Sequence, residues 1–479
     1  MKKILLVGAE ALPFASTGGL GDVMGALPAA LSRAGQGNVD VRAVMPLYGS
    51  IDKSFRDKME KVCEFTVHLA WRQQYCGVFR YAARDNVTYY FIDNEYYFKR
   101  SSLYGQYDDG ERFAFFCHAV LDMMPVLDYF PDVLHANDWQ AAMAVIYLRE
   151  KYRADARFAN IKTVYTIHNI DYQGIYDFAI LGDVFDLPSS ARGTVEFDGC
   201  INLMKGAIVS CDRLTTVSCR YAEELRSPYF SGALSAIINQ CVSKTTGMVN
   251  GIDTDYYNPA KDPDIRRPYT IGDMRGKAED KADLQRMFGL PESPDTPIVA
   301  MVSRLAAHKG FDLVQCVLEE MLQWNMQFVL LGTGERDLEN YFSSLAARYP
   351  HKIGVVLSYN KALSKQIYAG ADLFLMPSRS EPCGLSQMIA SAYGTVPVVR
   401  EVGGLYDTIR PFDHTNGTGN GITFVSYNAH DMMDAVRRGI ALYEGEPDAW
   451  QTLVRNAMQA DFSWDASAAG YLSIYNDLS

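Results

Sequence analysis

The 479-residue chain carries no excess of basic residues: 45 Lys and Arg stand against 57 Asp and Glu, for a net charge of −12. Sequence-independent nucleic-acid binding needs clustered cations that displace counterions, so that class is excluded. A small anionic ligand is not, because a few local cations suffice to hold one. No apolar run approaches the roughly 20 residues that span a bilayer, so no membrane partner is expected. The opening MKKILLVGAE pairs two lysines with an apolar run, but Glu10 interrupts it, and it reads as a first strand rather than an export signal. Nine cysteines, an odd number, include no CxxC pair. Reduced thiols in the cytoplasm are therefore expected, with no disulfide framework and no metal site. Neither GxGxxG nor GxxxxGK[ST] is present, so no standard dinucleotide or P-loop motif explains the glycine-rich turns.

What is present is alternation. Short apolar runs at 2–8, 39–46, 87–93, 132–136, 161–167 and 213–218 are separated by amphipathic stretches such as 112–127 and 139–152. A second series at 298–303, 326–331, 353–357, 372–377, 396–400 and 421–425 alternates with helical patterns at 310–324, 335–348, 362–370 and 384–394. Strand-then-helix alternation signals a parallel sheet with right-handed crossovers. Two such series predict an α/β chain of two doubly wound, Rossmann-like domains facing a deep cleft. The Pro-, Asp- and Gly-rich stretch 251–297 lacks sustained apolar periodicity and marks the break. The expected domains are 1–253, completed by the C-terminal helix 460–479, and 254–459.

In such sheets ligands bind beyond the carboxyl ends of the strands. In FASTGGLGDV, Gly18 and Gly19 follow the first strand, allow positive φ and leave no Cβ in the way, and a helix then begins near Gly21 and Asp22. Backbone N–H groups at a helix start suit a phosphate, while a tightly packed βα turn is the alternative. LHANDWQA ends a strand with His135, Asn137, Asp138 and Trp139, and YTIHNIDYQG ends another with His168 and Asn169. Polar groups there either cap the next helix or meet a ligand with hydroxyls. Asn250 in MVNGID is a further candidate, or part of an ordinary Asn-Gly turn. In the second half Arg304 and Lys309 follow a strand and suit a diphosphate, the one bidentately and the other as a point charge. LLGTGE (Gly332, Gly334) and REVGGLYDTI (Gly403, Gly404) are further glycine turns, and PSRSEPCGL places Glu381, Cys383, Gly384 and Leu385 after a strong strand. This inventory suits a diphosphate joined to a polyhydroxylated group.

STGGLGDVMGALPAAL, LHANDWQAA, YTIHNIDYQG, MVNGID, VSRLAAHKG, LLGTGE, MPSRSEPCGL and REVGGLYDTI occur in the order of the bacterial glycogen and plant starch synthases, and over its whole length the chain resembles that family. The resemblance implies a retaining glucosyltransferase of the two-Rossmann-domain type. It would pass glucose from ADP-glucose to the non-reducing 4-OH of an α-1,4-glucan, without metal or other cofactor, the first domain serving the acceptor and the second the donor. It implies that Arg304 and Lys309 bind the leaving diphosphate, that Glu381 and His168 contact the glucose, and that Asn250 and Asp138 lie by the sugar. It further implies that Gly384 and Leu385 present backbone N–H groups and that Tyr359 stacks on the base. Tyr96, Tyr97 and Tyr104 are candidates for stacking on glucan rings. The family's loop commonly reads Lys-x-Gly-Gly-Leu, and here the lysine position is Ser16. Loss of a charge-assisted hydrogen bond of about 1.5–3 kcal/mol implies donor use weakened by about one to two powers of ten. The substitution leaves open UDP-glucose as donor, a short oligosaccharide as acceptor, or a non-catalytic glucan-binding relative.

Overall fold

Ile4–Val7 is apolar at four consecutive positions, the pattern of a strand covered on both faces. In the computed structural model, which describes residues 1–478, all four side chains are fully buried. The chain divides into two compact units, Met1–Gly251 with the segment from Trp464 onward, and Ile252–Ser463.

The first unit contains β1 (Lys2–Val7), β2 (Val39–Pro46), β3 (Glu60–Leu69), β4 (Arg72–Ala82), β5 (Thr88–Asp93), β6 (Val133–Asn137), β7 (Lys162–Ile167), β8 (Ile175–Tyr176), β9 (Glu196–Phe197), β10 (Cys200–Asn202), β11 (Arg213–Thr216) and β12 (Thr245–Gly247). Nine of them form one sheet in the order β12-β11-β7-β6-β1-β2-β5-β4-β3, and β8, β10 and β9 form a small antiparallel one. The large sheet is parallel from β12 to β5 and ends in the antiparallel hairpin β3–β4. From β1 the chain winds outward one way through β2 and β5 and the other way through β6, β7 and β11. The crevice between β1 and β6 is therefore the topological switch point. The helix Trp464–Asp477 packs on the helix Gly19–Ala34, and its Tyr475 hydroxyl lies 2.7 Å from Nδ1 of His135.

The second unit contains β13 (Ile298–Val302), β14 (Gln327–Leu331), β15 (Ile353–Val356), β16 (Leu373–Met376), β17 (Val396–Arg400) and β18 (Ile422–Phe424). Their order, β15-β14-β13-β16-β17-β18, is 3-2-1-4-5-6 in chain sequence, the doubly wound dinucleotide-binding order, and every pair is parallel. Its switch point lies between β13 and β16.

Several elements depart from the sequence expectations, the short strands β8, β9, β10 and β12 among them. The hairpin β3–β4 was not foreseen, because as an edge it is half-solvated and its strands mix exposed polar residues with partly buried ones. The helix Arg275–Met287 lies inside the expected linker. It is rich in charge, but it packs on the helix Lys361–Gly370 and settles its charges internally, Lys281 pairing with Asp372 at 2.8 Å. No helix among the described residues is long and apolar enough to cross a membrane.

Candidate active site

At the switch point of the first unit, β1 leads through Gly8 into the glycine loop. The buried carboxylate of Glu10 clamps that loop: it accepts from the Thr17 backbone N–H, from Thr17 Oγ1 at 2.9 Å and from the Tyr104 hydroxyl at 2.8 Å. Sequence reasoning gave Glu10 no such role, since one acid in a loop carries no spacing signal. Tyr104, expected as a glucan stacker, is taken up by this clamp, and Tyr97 lies fully buried in the core, whereas Tyr96 is exposed. Ser16 is exposed and its Oγ donates to the Gly18 carbonyl at 3.1 Å.

Neither Gly18 nor Gly19 takes the positive φ that the sequence suggested. Gly18 is extended at φ −169°, and Gly19 is the first residue of the helix Gly19–Ala34. A Cβ on either would meet nothing within 4 Å. Internal packing therefore does not require these two glycines, which counts against the tightly packed turn as their explanation. The helix start they open has no capping side chain, so its N–H groups and positive dipole end face outward, with Asp22 half-buried in the first turn.

On the other side of the crevice β6 delivers Asn137 and Asp138. Asp138 sits at φ +58°, a left-handed conformation that costs a non-glycine residue about 1 kcal/mol or more. Its carboxylate accepts from the His168 backbone N–H at 2.8 Å and from that of Asn169, while burial pushes its pKa up to about 7. His168 follows β7. Asn137 donates its amide N–H to the Val7 and His135 carbonyls, so its oxygen turns to His168 Nε2, 2.9 Å away. That oxygen accepts only if Nε2 carries the proton. Burial lowers the His168 pKa to about 3, so the ring is neutral and Nδ1 holds a lone pair. Nδ1 has no partner among the described residues and can accept a hydrogen bond. Asn169 turns its side chain to the Asp171 N–H at 3.0 Å, and the segment runs on into a cavity of about 210 Å3 lined by Asp171, Gln173 and Phe230. Asn250, beyond β12, keeps a buried Oδ1 without a partner among the described residues. His135 is no part of this surface: it is fully buried between Tyr475 and Thr166. Trp139 packs edge-on against Phe113 at 5.3 Å.

The switch point of the second unit gathers the cations. Arg304 follows β13, is exposed, and has no acid partner among the described residues. Lys309 ends the turn before the helix Phe311–Met321, and its Nζ lies 2.7 and 2.9 Å from the two carboxylate oxygens of Glu381, which follows β16. The Ser378 hydroxyl donates to the same carboxylate at 3.0 Å. Lys309 and Glu381 side chains are 19% and 7% exposed, so the pair is well shielded and leaves one positive charge, that of Arg304, in surplus.

Four expected contact residues instead build the scaffold. A Cβ on Gly332 or Gly334 would strike the Ser303 or Leu305 carbonyl, and one on Gly404 that of Cys383. The close approach these glycines permit is made by the chain itself. Cys383 is buried, and its carbonyl accepts from Gln387 Nε2 at 3.1 Å. Gly384, at φ +72°, turns the chain so that Leu385 opens the helix Ser386–Ala392, whose start has no capping side chain. Tyr359, beyond β15, is 81% exposed. A larger cavity of about 730 Å3 lies at the amino ends of these strands, between the helices Arg275–Met287 and Pro447–Gln459. Its two lysines already spend their protons on Asp372, Pro294, Tyr443, Ala369, Tyr393 and Thr395, and the exposed Arg455 lies among its lining residues. No cluster of three or more His, Cys, Asp or Glu among the described residues is arranged to hold a metal ion.

Residues 3–240 match the starch synthase catalytic domain family, and residues 285–451 match glycosyl transferases group 1. The chain is 46% identical to the glycogen synthase of Anoxybacillus flavithermus, with 99% of this chain and 98% of that one covered. Identity to the glycogen synthase of Geobacillus stearothermophilus is 47% over the same shares. Among solved structures it is similar to the catalytic domain of starch synthase IV from Arabidopsis thaliana bound to ADP and acarbose, with a TM-score of 0.91 and 31% identity over 100% of this chain and 99% of that one. A sucrose-phosphate synthase from Thermosynechococcus elongatus shares the fold at a TM-score of 0.61 and 19% identity, over 100% of this chain and 99% of that one.

Proposed function

The chain belongs to the glycogen synthase family, and on that premise we propose that it transfers glucose, with retention of configuration, from ADP-glucose to the non-reducing 4-OH of an α-1,4-glucan. It is a hexosyltransferase of the two-Rossmann-unit type. The observation that carries the reading is the charge at the second unit's switch point. Two cations and one carboxylate stand where a doubly wound sheet binds its ligand, in a protein of net charge −12. Arg304 grips the diphosphate bidentately. Lys309, released in part from Glu381, neutralises it as the sugar departs. Glu381 and the N–H groups at Gly384 and Leu385 take the glucose hydroxyls, and Tyr359 stacks on the base.

In the first unit, Nδ1 of His168 accepts from a sugar hydroxyl and Asn250 Oδ1 from another. Asp138 lies by the sugar and the acceptor, and the N–H groups opened by Gly18 and Gly19 face the phosphate. The relative solved with ADP and acarbose supports a nucleotide and a glucan-like ligand as the pair to be bound.

Ser16 bears on how tightly either donor is held. A neutral hydroxyl turned to the Gly18 carbonyl supplies no charge to the diphosphate that ADP-glucose and UDP-glucose share, so their selection is left to the residues that meet the base. Kinetics of Ser16→Lys with both donors and glycogen as acceptor test the reading. An ammonium restored at this loop is expected to raise kcat/KM for ADP-glucose by about tenfold or more. An unchanged or lower value overturns the assignment of the loop to the donor phosphate, and a wild-type preference for UDP-glucose overturns the assignment of the donor.

A further inference from the structure

Trp71, in the turn between β3 and β4, is 74% exposed. β4 runs antiparallel to β5 with Gly77 opposite Asp93, the last residue of β5. Arg72 is therefore five residues past the carboxyl end of β5, roughly 17 Å at the rise of a strand. The hairpin tip projects beyond the same sheet edge that carries the glycine loop, Asp138 and His168.

The ring is held in place. Its Nε1–H donates to Asp183 Oδ1 at 2.6 Å, and the Arg72 guanidinium lies over it at 4.4 Å from the centroid. Arg72 in turn is fixed by Glu111 at 3.0 Å and by the carboxylate of Asp183 at 3.2 Å, and its side chain is only 11% exposed. One ring face is backed by an immobilised cation while the ring as a whole stays in solvent. Ordering an indole without burying it costs entropy and forgoes apolar burial, so folding does not explain the arrangement. The chemistry suits a pyranose: its C–H face stacks on an aromatic ring while its hydroxyls reach the flanking carboxylate and guanidinium. A second exposed ring continues the surface. Glu111 accepts from the Tyr97 hydroxyl at 2.6 Å, and the Tyr97 ring lies 5.0 Å from that of Tyr96, which is 63% exposed.

We propose that Trp71, flanked by Asp183 and Arg72, is an accessory platform for an α-glucan chain, holding a polymeric acceptor by a segment outside the reacting end. This rests on the reading of the acceptor as an α-1,4-glucan. The test compares wild type, Trp71→Ala and Trp71→Phe by native electrophoresis through glycogen-containing gels and by kinetics with glycogen and with maltotriose. In Trp71→Ala, gel retardation is expected to fall and KM for glycogen to rise about fivefold, while kcat and KM for maltotriose stay within about twofold. Trp71→Phe keeps a ring and is expected to retain most of the retardation. A Trp71→Ala protein retarded like wild type, with unchanged KM for glycogen, overturns the platform, as does a wild type that glycogen does not retard. A wild type retarded through Trp71 that transfers no glucose to maltotriose overturns the proposed reaction and leaves the platform standing.

Discussion

Arg304→Ala separates catalysis from folding more cleanly than any other substitution at the second switch point. Arg304 is exposed and pairs with no acid among the described residues, so its removal strands nothing and stability is expected to change by less than about 0.5 kcal/mol. A charge-assisted bond to phosphate contributes about 1.5–3 kcal/mol, and preorganised charge facing a leaving group counts more in the transition state than in the ground state. Together these place the loss in kcat at about a hundredfold. Lys309→Ala is the contrast. It leaves the shielded Glu381 carboxylate with only the Ser378 hydroxyl. The full penalty of a broken buried pair, reduced for partial exposure, is about 2 kcal/mol, enough to lower Tm by about 5 °C. The assay is steady-state ADP release with thermal melts of both variants. An Arg304→Ala enzyme with kcat within about threefold of wild type would refute the assignment of this guanidinium to the leaving group.

Gly19→Ala places a methyl where the protein has open space and a helix begins. It is expected to hold or raise stability by up to about 1 kcal/mol while kcat/KM for ADP-glucose drops at least about tenfold, and unimpaired turnover contradicts a phosphate at this helix start. The pH dependence of stability carries two opposed signatures. Burial lowers the His135 and His168 imidazoles to about 3, so the stability they contribute is complete above the unfolded value near 6.5 and is lost as the pH falls toward 3, by about 1.4 kcal/mol per pH unit and ring. Asp138, pushed up to about 7, binds its proton earlier in the folded chain and so adds stability as the pH falls from 7 toward 3.8. The decline of Tm on acidification is therefore expected to flatten in His135→Gln and to steepen in Asp138→Asn, and slopes parallel to wild type in either variant contradict the burial argument.

The strands that lie in the middle of each sheet were legible because burial on both faces leaves an apolar run with no alternative reading, as in Ile4–Val7 and Gln327–Leu331. The hairpin β3–β4 was not, since a solvated edge mixes polar and apolar residues much as a loop or a surface helix does. The helix Arg275–Met287 was hidden for a related reason: its residues are mostly polar or charged, and the shielded pair of Lys281 with Asp372 joins partners that no window of sequence contains together. At the sites, residue types after strand ends singled out Asp138, His168, Lys309 and Glu381 as candidates, and the structure places all four just beyond the carboxyl ends of strands, where a doubly wound sheet binds its ligands. What residue types could not convey is direction. His135 lies within β6 and His168 just after the neighbouring β7, yet the first points to Tyr475 in the core and the second leaves Nδ1 without a partner among the described residues. The glycines divide in the same way: Gly18 and Gly19 leave space open, whereas Gly332, Gly334 and Gly404 let one loop rest on another. Glu10 and Trp71 carry no motif, and their roles emerge only from their partners, Thr17 and Tyr104 for the one, Arg72 and Asp183 for the other.

Incubation of the purified protein with glycogen and either ADP-glucose or UDP-glucose, following nucleoside diphosphate released and the linkage of the glucose added, tests the central claim most directly. Release of ADP matched by new α-1,4-linked glucose, with ADP-glucose the better donor, is the expected result. No release from ADP-glucose, or faster release from UDP-glucose, would contradict it.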